Sequence, residues 1–318
     1  MFELARKMHA KGILGINERN ATLIMPLNPR RFFPRVDDKV LTKKLAIEAG
    51  MPVPEMYGTI SHQSEIRHFQ KIVQGRESFV IKPAAGSGGD GIMVIAERGI
   101  RRKDTYRTIS GTLLGEEDLE HHLSNVVSGQ YSLTGNPDVA LIEYCVRFDP
   151  LFAQVSFQGV PDIRVIVYKG YPIMSMVRLP TRRSDGKANL HQGAVGAGID
   201  IARGITLDGV LGNSPVHEHP DTGMPIKGLQ IPNWEFILES AAKCYEVTNL
   251  GYVGVDIVID KDLGPLILEM NARPGLNIQI ANACGLGLRL RRIQEIYDPA
   301  LEPAKRAQLS RREFAEGT

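Results

Sequence analysis

Two apolar segments near residue 260 are separated by a turn of only five residues, and this spacing restricts how the chain can fold. Residues 251–259 read Gly-Tyr-Val-Gly-Val-Asp-Ile-Val-Ile, and residues 265–271 read Pro-Leu-Ile-Leu-Glu-Met-Asn. Strands joined by so short a connection pair antiparallel, because a parallel crossover needs a dozen residues or more. Residues 140–144, 163–168 and 173–179 have a similar apolar character. The sequence therefore predicts a mainly antiparallel sheet in this part of the chain.

The first half of the chain has a different pattern, in which helical and strand-like segments alternate. Apolar residues recur at helical spacing from Asp38 to Ala49, and Gly50 ends that pattern. Residues 78–81 and 92–95 read as strands, and residues 113–128 as a helix. We therefore expect an α+β fold. Its predicted parts are a short N-terminal segment packing on the body (1–37), a smaller lobe with a glycine-rich lid (38–138), a larger lobe with a metal site (139–296) and a polar C-terminal tail or surface helix (297–318).

Charge and composition exclude several classes of protein. The 318 residues include 38 Lys and Arg against 36 Asp and Glu, so the net charge of +2 gives no reason to expect a nucleic-acid partner. No run of eighteen apolar residues occurs, and the charged opening Met1–Lys7 lacks the apolar stretch of a signal peptide. We therefore expect a cytoplasmic protein without membrane insertion. The three cysteines are far apart, which argues against a zinc knuckle or a redox dithiol.

A glycine-rich loop, Gly86-Ser87-Gly88-Gly89-Asp90-Gly91, lies between the first two predicted strands. A dinucleotide fold would need a helix after it, and a P-loop would need a lysine directly after its last glycine. Here Lys82 precedes the loop and a strand follows it. Such a hairpin can cover a triphosphate, because glycines let backbone N–H groups approach phosphate oxygens while the lysine supplies a positive charge. The alternative is a hairpin tip with an ordinary surface lysine.

Two carboxylates are embedded in the apolar strands around residue 260. In the simplest register Ile259 faces Leu266, which places Asp256 opposite Glu269, and the two charges repel each other. Asn271 lies two residues beyond Glu269 and points to the same face. Oxygen ligands of this kind suit Mg²⁺. The alternative is that the acids end strands at the solvent surface.

Together these features resemble the ATP-grasp superfamily, and within it the α-L-glutamate ligase-like (RimK-type) proteins. The resemblance spans about Asp38 to Gly275 and implies two lobes with a nucleotide between them. It also implies an α/β domain before the ATP-grasp lobes, for which only 37 residues are present ahead of Asp38, so we expect this domain to be lacking. The matching segments are Asp38-Lys39, Ile81-Lys82-Pro83, Glu143-Tyr144, Asp162-Ile163-Arg164, Asn189-Leu190-His191-Gln192-Gly193, Gly254-Val255-Asp256-Ile257 and Glu269-Met270-Asn271-Ala272-Arg273-Pro274-Gly275.

The resemblance implies roles for the nucleotide-binding residues. Lys39 and Lys82 would contact the phosphates, with Lys82 also near the adenine. The strand Leu141–Tyr144 would hydrogen-bond adenine through its backbone, with Glu143 near the exocyclic amine. Asp162 would contact the ribose hydroxyls. The expected ATP-binding residues are Lys39, Lys82, Gly86, Ser87, Gly88, Gly89, Gly91, Glu143, Tyr144 and Asp162.

The resemblance also implies residues for catalysis and metal binding. Arg164 and Arg178 would stabilise phosphate or the acceptor carboxylate, and Asn189 and His191 would lie beside the substrate. Magnesium, as two ions, or manganese in its place, would be held by Asp256, Glu269 and Asn271.

The activity implied is that of an ADP-forming ligase, which joins a carboxylate to an amine through an acyl phosphate. It would add glutamate or a similar amino acid to a peptide-like acceptor. Arg273 stands where glutamate ligases commonly have a small residue, so the acceptor pocket is expected to differ. The acceptor side would be open or completed by a second subunit, as in a homo-oligomer. Two alternatives remain, an ATP-grasp kinase and a non-catalytic nucleotide-binding regulator.

Overall fold

The computed structural model describes residues 2–86, 88–99, 105–132 and 135–315. These residues form two antiparallel sheets, of six and seven strands, each with its own hydrophobic core. The strands are β1 (Met56–Ile60), β2 (Phe79–Pro83), β3 (Met93–Arg98), β4 (Thr105–Thr108), β5 (Leu113–Gly115), β6 (Ala140–Glu143), β7 (Asp162–Tyr168), β8 (Tyr171–Leu179), β9 (Val195–Asp200), β10 (Ile205–Leu211), β11 (Ser214–Val216), β12 (Tyr252–Asp260) and β13 (Gly264–Asn271).

Helices cover the two sheets and connect their strands. None of those in the described ranges is long and apolar enough to cross a membrane. The helices are α1 (Phe2–Ala10), α2 (Ile16–Arg19), α3 (Met25–Leu27), α4 (Pro34–Asp37), α5 (Lys39–Glu48), α6 (Phe69–Ile72), α7 (Glu116–Val127), α8 (Trp234–Thr248), α9 (Ile278–Ala281), α10 (Leu286–Ile296) and α11 (Pro303–Glu313).

The smaller sheet has the strand order β1-β6-β2-β3-β4-β5, and α7 packs against it. Its core includes the rings of Phe69, Phe79 and Tyr106, which pack edge to face. Two expectations need correction. Residues 113–115 form β5, and the helix begins only at Glu116, where an acidic first turn complements the helix dipole. The strand β6 pairs with β1 and β2, so the boundary between the sheets falls after residue 143, beyond the expected residue 138.

The larger sheet has the strand order β11-β10-β9-β8-β7-β12-β13, with α8 packed across its apolar face. The helix α5 begins at Lys39 because the side chain of Asp38 accepts hydrogen bonds from the N–H groups of Val40 and Leu41. Although α5 was expected in the smaller lobe, its buried Ala46 belongs to the core of the larger sheet. This helix therefore connects the two halves of the molecule.

The N-terminal segment lies across the larger core. Phe32 and Phe33 are partly buried against that core, and the side chain of Asn28 donates to the carbonyl oxygens of Tyr252 and Ala272 at 2.7 and 2.9 Å. Arg35 stacks over the ring of Phe32. These contacts fix the segment beside the strands that carry the predicted metal ligands.

The C-terminal residues form more than a polar tail. The helix α11 packs on α8, and Arg306 is only 2% exposed while it pairs with Glu246. The sequence of α11 reads as polar because side chains such as Arg312 lie on the outer face of this helix.

Candidate nucleotide and metal site

A buried carboxylate and two buried lysines meet between α5 and the smaller sheet. The Nζ atom of Lys82 lies 2.5 Å from Oε1 of Glu143, and Lys43 pairs with Oε2 of the same carboxylate. Lys43 also donates to the carbonyl oxygen of Pro54 at 2.6 Å. Burial lowers the pKa of Lys43 to about 8, although Glu143 opposes this shift. Burial alone would raise the pKa of Glu143, but Lys82 and Lys43 together hold it below its usual value.

Lys43 was missed in the sequence, where it reads as one polar residue of an amphipathic helix. The available signal was its spacing, since Lys43 follows Lys39 by four residues and therefore lies on the same helix face. Lys39 itself donates from Nζ to the carbonyl oxygen of Gly86 at 2.5 Å. Burial lowers its pKa, and the nearby charge of Glu269 opposes the shift. The lysine therefore links α5 to the first residue of the glycine loop.

The glycine loop joins β2 to β3, which pair antiparallel as predicted. Gly88 and Gly89 have positive φ angles of 67° and 85°, which residues with a side chain rarely adopt. At Gly91 a Cβ atom would lie 2.5 Å from the ring of Tyr131. Ser87 lies outside the described residues. The backbone of this loop therefore requires glycine at several positions.

The predicted adenine strand is placed differently from expectation. β6 is an interior strand, and its backbone pairs with β1 on one side and β2 on the other. The N–H of Tyr144 donates to the carbonyl oxygen of Glu55 at 2.9 Å, and its hydroxyl donates to Asp260 at 3.0 Å. The backbone of β6 is therefore hydrogen-bonded on both sides, and the contact of residues 141–144 with adenine stays a prediction.

The register of the β12–β13 hairpin pairs Asp256 with Glu269, as the sequence predicts. Near the turn, however, Ile259 pairs with Pro265 instead of Leu266, and an irregularity next to Asp256 restores the predicted pair. Asp256 does not need a cation to offset its repulsion from Glu269, because two guanidiniums already pair with its carboxylate. Arg164 donates to its two carboxylate oxygens at 2.7 and 2.5 Å, and Arg178 donates to one of them at 2.8 Å.

Asp162 completes a buried row of alternating charges along β7, β8 and β12. Both of its carboxylate oxygens accept hydrogen bonds from Arg178. Burial raises the pKa of Asp162 to about 6, against the opposing effect of Arg178. Burial would also raise the pKa of Asp256, but Arg164 and Arg178 outweigh it and hold the value at about 2. Ribose hydroxyls would have to compete with Arg178 for Asp162.

Glu269 and Asn271 provide the oxygens that are more available to a cation. Glu269 is half-buried, and no hydrogen bond or ion pair joins its carboxylate to another described residue, although its charge acts on nearby Lys39. The Oδ1 atom of Asn271 accepts from the N–H of Arg273 at 2.8 Å and retains a second lone pair. These hard oxygen donors fit Mg²⁺, whereas Asp256 would bind it only while sharing its oxygens with two guanidiniums. The described ranges contain no cluster of three His, Cys, Asp or Glu residues that could hold a metal.

Asn189 and His191 lie on a short turn before β9. The Oδ1 atom of Asn189 accepts from the N–H of His191 at 3.0 Å, so this side chain caps the turn, and the imidazole of His191 is exposed. Leu190, between them, packs against Gly196, which pairs with Arg178. The turn therefore lies at the edge of the charged row.

Comparison with known families identifies the fold. A model described as "Sugar-transfer associated ATP-grasp" matches residues 18–295. The chain belongs to this ATP-grasp family. The superfamily inferred from sequence is thereby confirmed, as is the α+β ATP-grasp fold. Comparison with curated proteins gives no match.

Solved structures similar to this ATP-grasp protein include three ligases. The ATP-grasp ligase PsnB in complex with a minimal precursor is 15% identical, with 83% of this chain and 64% of that chain covered and a TM-score of 0.43. The D-cycloserine synthetase DcsG is 14% identical, with 84% of this chain and 73% of that chain covered and a TM-score of 0.46. D-alanine–D-alanine ligase from Bacillus anthracis with ATP is 14% identical, with 89% of this chain and 68% of that chain covered and a TM-score of 0.44. The chain thus spans less than two thirds of PsnB, and the family assignment rests on the match over 18–295.

In this ATP-grasp protein three lysines and one acid line a single narrow space. Lys39 and Lys43 come from α5, Lys82 comes from β2, and Glu269 with its neighbour Leu268 comes from β13. Positive charges on α5 and β2 therefore lie close to a carboxylate on β13, with the two sheets on either side.

Proposed function

We propose that this ATP-grasp protein is an ATP-dependent carboxylate–amine ligase that releases ADP and phosphate. One observation carries the proposal, namely that Lys39, Lys43 and Lys82 line the same narrow space as Glu269 between the two sheets. A polyphosphate bound beside this narrow space would meet the cations and, through a divalent cation, the oxygen donor of Glu269. Phosphoryl transfer depends mainly on such positioning and charge neutralisation.

The reaction has two chemical steps. A carboxylate oxygen of the first substrate attacks the γ-phosphorus of ATP, and the bond to ADP breaks to give an acyl phosphate. An amine then attacks the acyl carbon, the amine nitrogen loses a proton to phosphate or solvent, and phosphate leaves. Lys82 and Lys39 would hold the phosphates in line, and Arg164 and Arg178 would stabilise charge that develops on phosphate or carboxylate.

Glu269 and Asn271, with Asp256 sharing its oxygens, would hold Mg²⁺ as two ions, or Mn²⁺ in its place. When bound, such a cation neutralises phosphate charge and polarises the phosphorus. Glu269 is the residue on which this binding would depend most, because no hydrogen bond or ion pair joins its carboxylate to another described residue.

The amino acid added would be glutamate or a similar residue, and the acceptor would be peptide-like. The acceptor panel should also contain amino sugars and sugar-linked carboxylates, because the family is described as associated with sugar transfer.

The test is a coupled assay of ADP and phosphate release with Mg²⁺ across this panel, with hydroxylamine added to trap an acyl phosphate as a hydroxamate. A ligase gives equal ADP and phosphate, and a hydroxamate. ADP with a phosphorylated alcohol and no free phosphate would instead identify a kinase, and ATP binding without turnover would identify a regulator. Glu269→Gln should abolish turnover, whereas Asp262→Asn, at an exposed acid in the same hairpin, should not.

A further inference from the structure

A second cavity adjoins the proposed ATP site and is lined by arginines of the N-terminal segment. Its volume is about 1120 Å³, and we call it the arginine cavity after Arg19, Arg30 and Arg273, which line it. Ala85, the residue before the glycine loop, also lines it. Arg273 lies two residues beyond Asn271. The cavity is therefore next to both the loop and the strand that are proposed to hold the phosphates and the cation.

The charge of this cavity is positive. Of its two acids, Asp38 uses its carboxylate to cap α5, accepting from backbone N–H groups at 2.9 and 3.1 Å. Asp37 is 3.5 Å from Arg273 and offsets that one guanidinium. Arg30 forms no ion pair with any residue in the described ranges. Unlike the other two, it has a guanidinium that is not already committed.

The other cavity arginines are held in place by neighbouring groups. Arg19 donates to the carbonyl oxygen of Pro274 at 2.8 Å and to Oδ1 of Asn20. Arg273 stacks over the ring of Phe33, with its guanidinium carbon 5.0 Å from the ring centre. Guanidiniums in fixed orientations match the geometry of carboxylates.

Arg31 and Arg35 do not share this position, although they belong to the same basic stretch of sequence. Both stack over the ring of Phe32 at 4.8 Å, and Arg35 also donates to the carbonyl oxygen of Val247. Neither lines the cavity. Among the arginines of residues 30–35, Arg31 and Arg35 therefore pack on the ring of Phe32, and only Arg30 lines the cavity.

We infer that the arginine cavity binds a carboxylate-bearing, peptide-sized substrate of the proposed ligase, with Arg30 as a specificity-determining residue. This inference rests on the proposed function. The cavity is large enough for a short peptide and positively charged, and it borders the place where the γ-phosphate would meet its attacking carboxylate. The N-terminal segment thus supplies one wall of the acceptor site.

The test measures binding, so that it does not require turnover. The probe is the dipeptide Glu-Glu, titrated calorimetrically into protein saturated with Mg²⁺ and the non-hydrolysable analogue AMPPNP. The uncharged dipeptide Gln-Gln amide is the ligand control. Arg30→Gln is compared with Arg31→Gln, because both variants remove one positive charge from adjacent exposed positions and only Arg30 lines the cavity.

We expect Glu-Glu to bind and the uncharged dipeptide not to bind. Arg30→Gln should weaken Glu-Glu binding about tenfold or more, the scale of one charge-assisted hydrogen bond, while Arg31→Gln changes it less than twofold. AMPPNP affinity should be unchanged in both variants, and thermal unfolding checks that both are folded, since Arg31→Gln loses its contact with the ring of Phe32. Equal binding of the two dipeptides, or equal effects of the two variants, would overturn the inference while leaving the proposed function intact. Failure of AMPPNP itself to bind would overturn the proposed function.

Discussion

Lys82 and Glu143 form a buried ion pair across neighbouring strands, with Nζ 2.5 Å from Oε1. Lys82 is on β2 and Glu143 is two positions along β6 from the residue that Lys82 faces, so their side chains share one face of the sheet. Because Lys43 binds the same carboxylate, two cations share one anion. We propose that the excess positive charge of this buried cluster contributes to binding a nucleoside triphosphate.

Replacing Lys82 by Met removes the cation nearest to the glycine loop on β2. We expect ATP affinity to fall by about 1–3 kcal/mol, the range for hydrogen bonds to charged groups. Calorimetric titration with AMPPNP measures the change directly. An unchanged affinity would remove Lys82 from the nucleotide site.

Replacing Lys43 by Met should mainly reduce stability. Glu143 would keep Lys82 as a partner but lose one of its two buried cations, which should lower the free energy of unfolding by about 1–3 kcal/mol. Lys44→Met is the matched control, because Lys44 is adjacent and exposed. Urea unfolding of the two variants gives the comparison, and equal stabilities would mean that the Lys43 pair contributes nothing.

The sequence predicts correctly the helices and strands whose apolar residues recur regularly within the segment itself. The β12–β13 hairpin and α5 each show an uninterrupted apolar period, and their bounds are reproduced to within one or two residues. β9 was missed because Gly196 and Gly198 interrupt its pattern. A Cβ atom at Gly196 would lie 2.8 Å from the side chain of Leu190, and one at Gly198 would lie 2.7 Å from the carbonyl oxygen of Ala281.

The site was less predictable because its pairings are distant in sequence. Asp256 is ninety-two residues from Arg164, and nothing in either segment indicates that β7 will lie beside β12. The sequence therefore shows an acid opposite another acid, whereas the structure surrounds Asp256 with guanidiniums. For the same reason the pairing of β6 inside the smaller sheet could not be inferred from residues 140–143 alone.

This arrangement makes Asp256 and Glu269 respond differently to substitution. Asp256→Asn should lower stability by about 3–5 kcal/mol, because it leaves Arg164 and Arg178 buried with one carboxylate fewer. Glu269→Gln should change stability much less, by about 1 kcal/mol or under, since it breaks no hydrogen bond or ion pair in the described ranges and removes only a longer-range attraction to Lys39. Denaturant unfolding distinguishes them, and a stable Asp256→Asn protein would show that the charged row is not needed for folding.

His122 should make the stability of the smaller lobe depend on pH. Its Nε2 atom lies 3.1 Å from the carbonyl oxygen of Gly91, and burial lowers its pKa below 6.5 despite that hydrogen bond. Below pH 6.5 the unfolded chain therefore binds a proton that the folded chain does not, so the stability contribution is lost as pH falls toward the folded pKa.

We expect His122→Gln to reduce the loss of stability between pH 7.5 and pH 5.5, measured as the free energy of unfolding at each pH. His121→Gln, at the exposed neighbouring position, is the control and should change the slope less than His122→Gln does, because it removes only the charge repulsion between the two rings. Identical slopes in all three proteins would rule out His122 as the titrating group.

The contact between Gly170 and Arg306 should determine how firmly α11 docks. Gly170 forms the β7–β8 turn with a φ of 84°, and a Cβ atom there would lie 2.2 Å from the guanidinium of the buried Arg306. Gly212, in the β10–β11 turn, also has a positive φ, of 62°, but no atom within 4 Å of its Cβ position. Gly212→Ala should therefore lower the free energy of unfolding by about 1 kcal/mol through backbone strain alone. Gly170→Ala should lower the free energy of unfolding by about 1–3 kcal/mol more than that, because Arg306 must move away from its ion pair with Glu246. Thermal unfolding of both variants measures the difference, and equal losses would show that α11 accommodates the methyl group without strain.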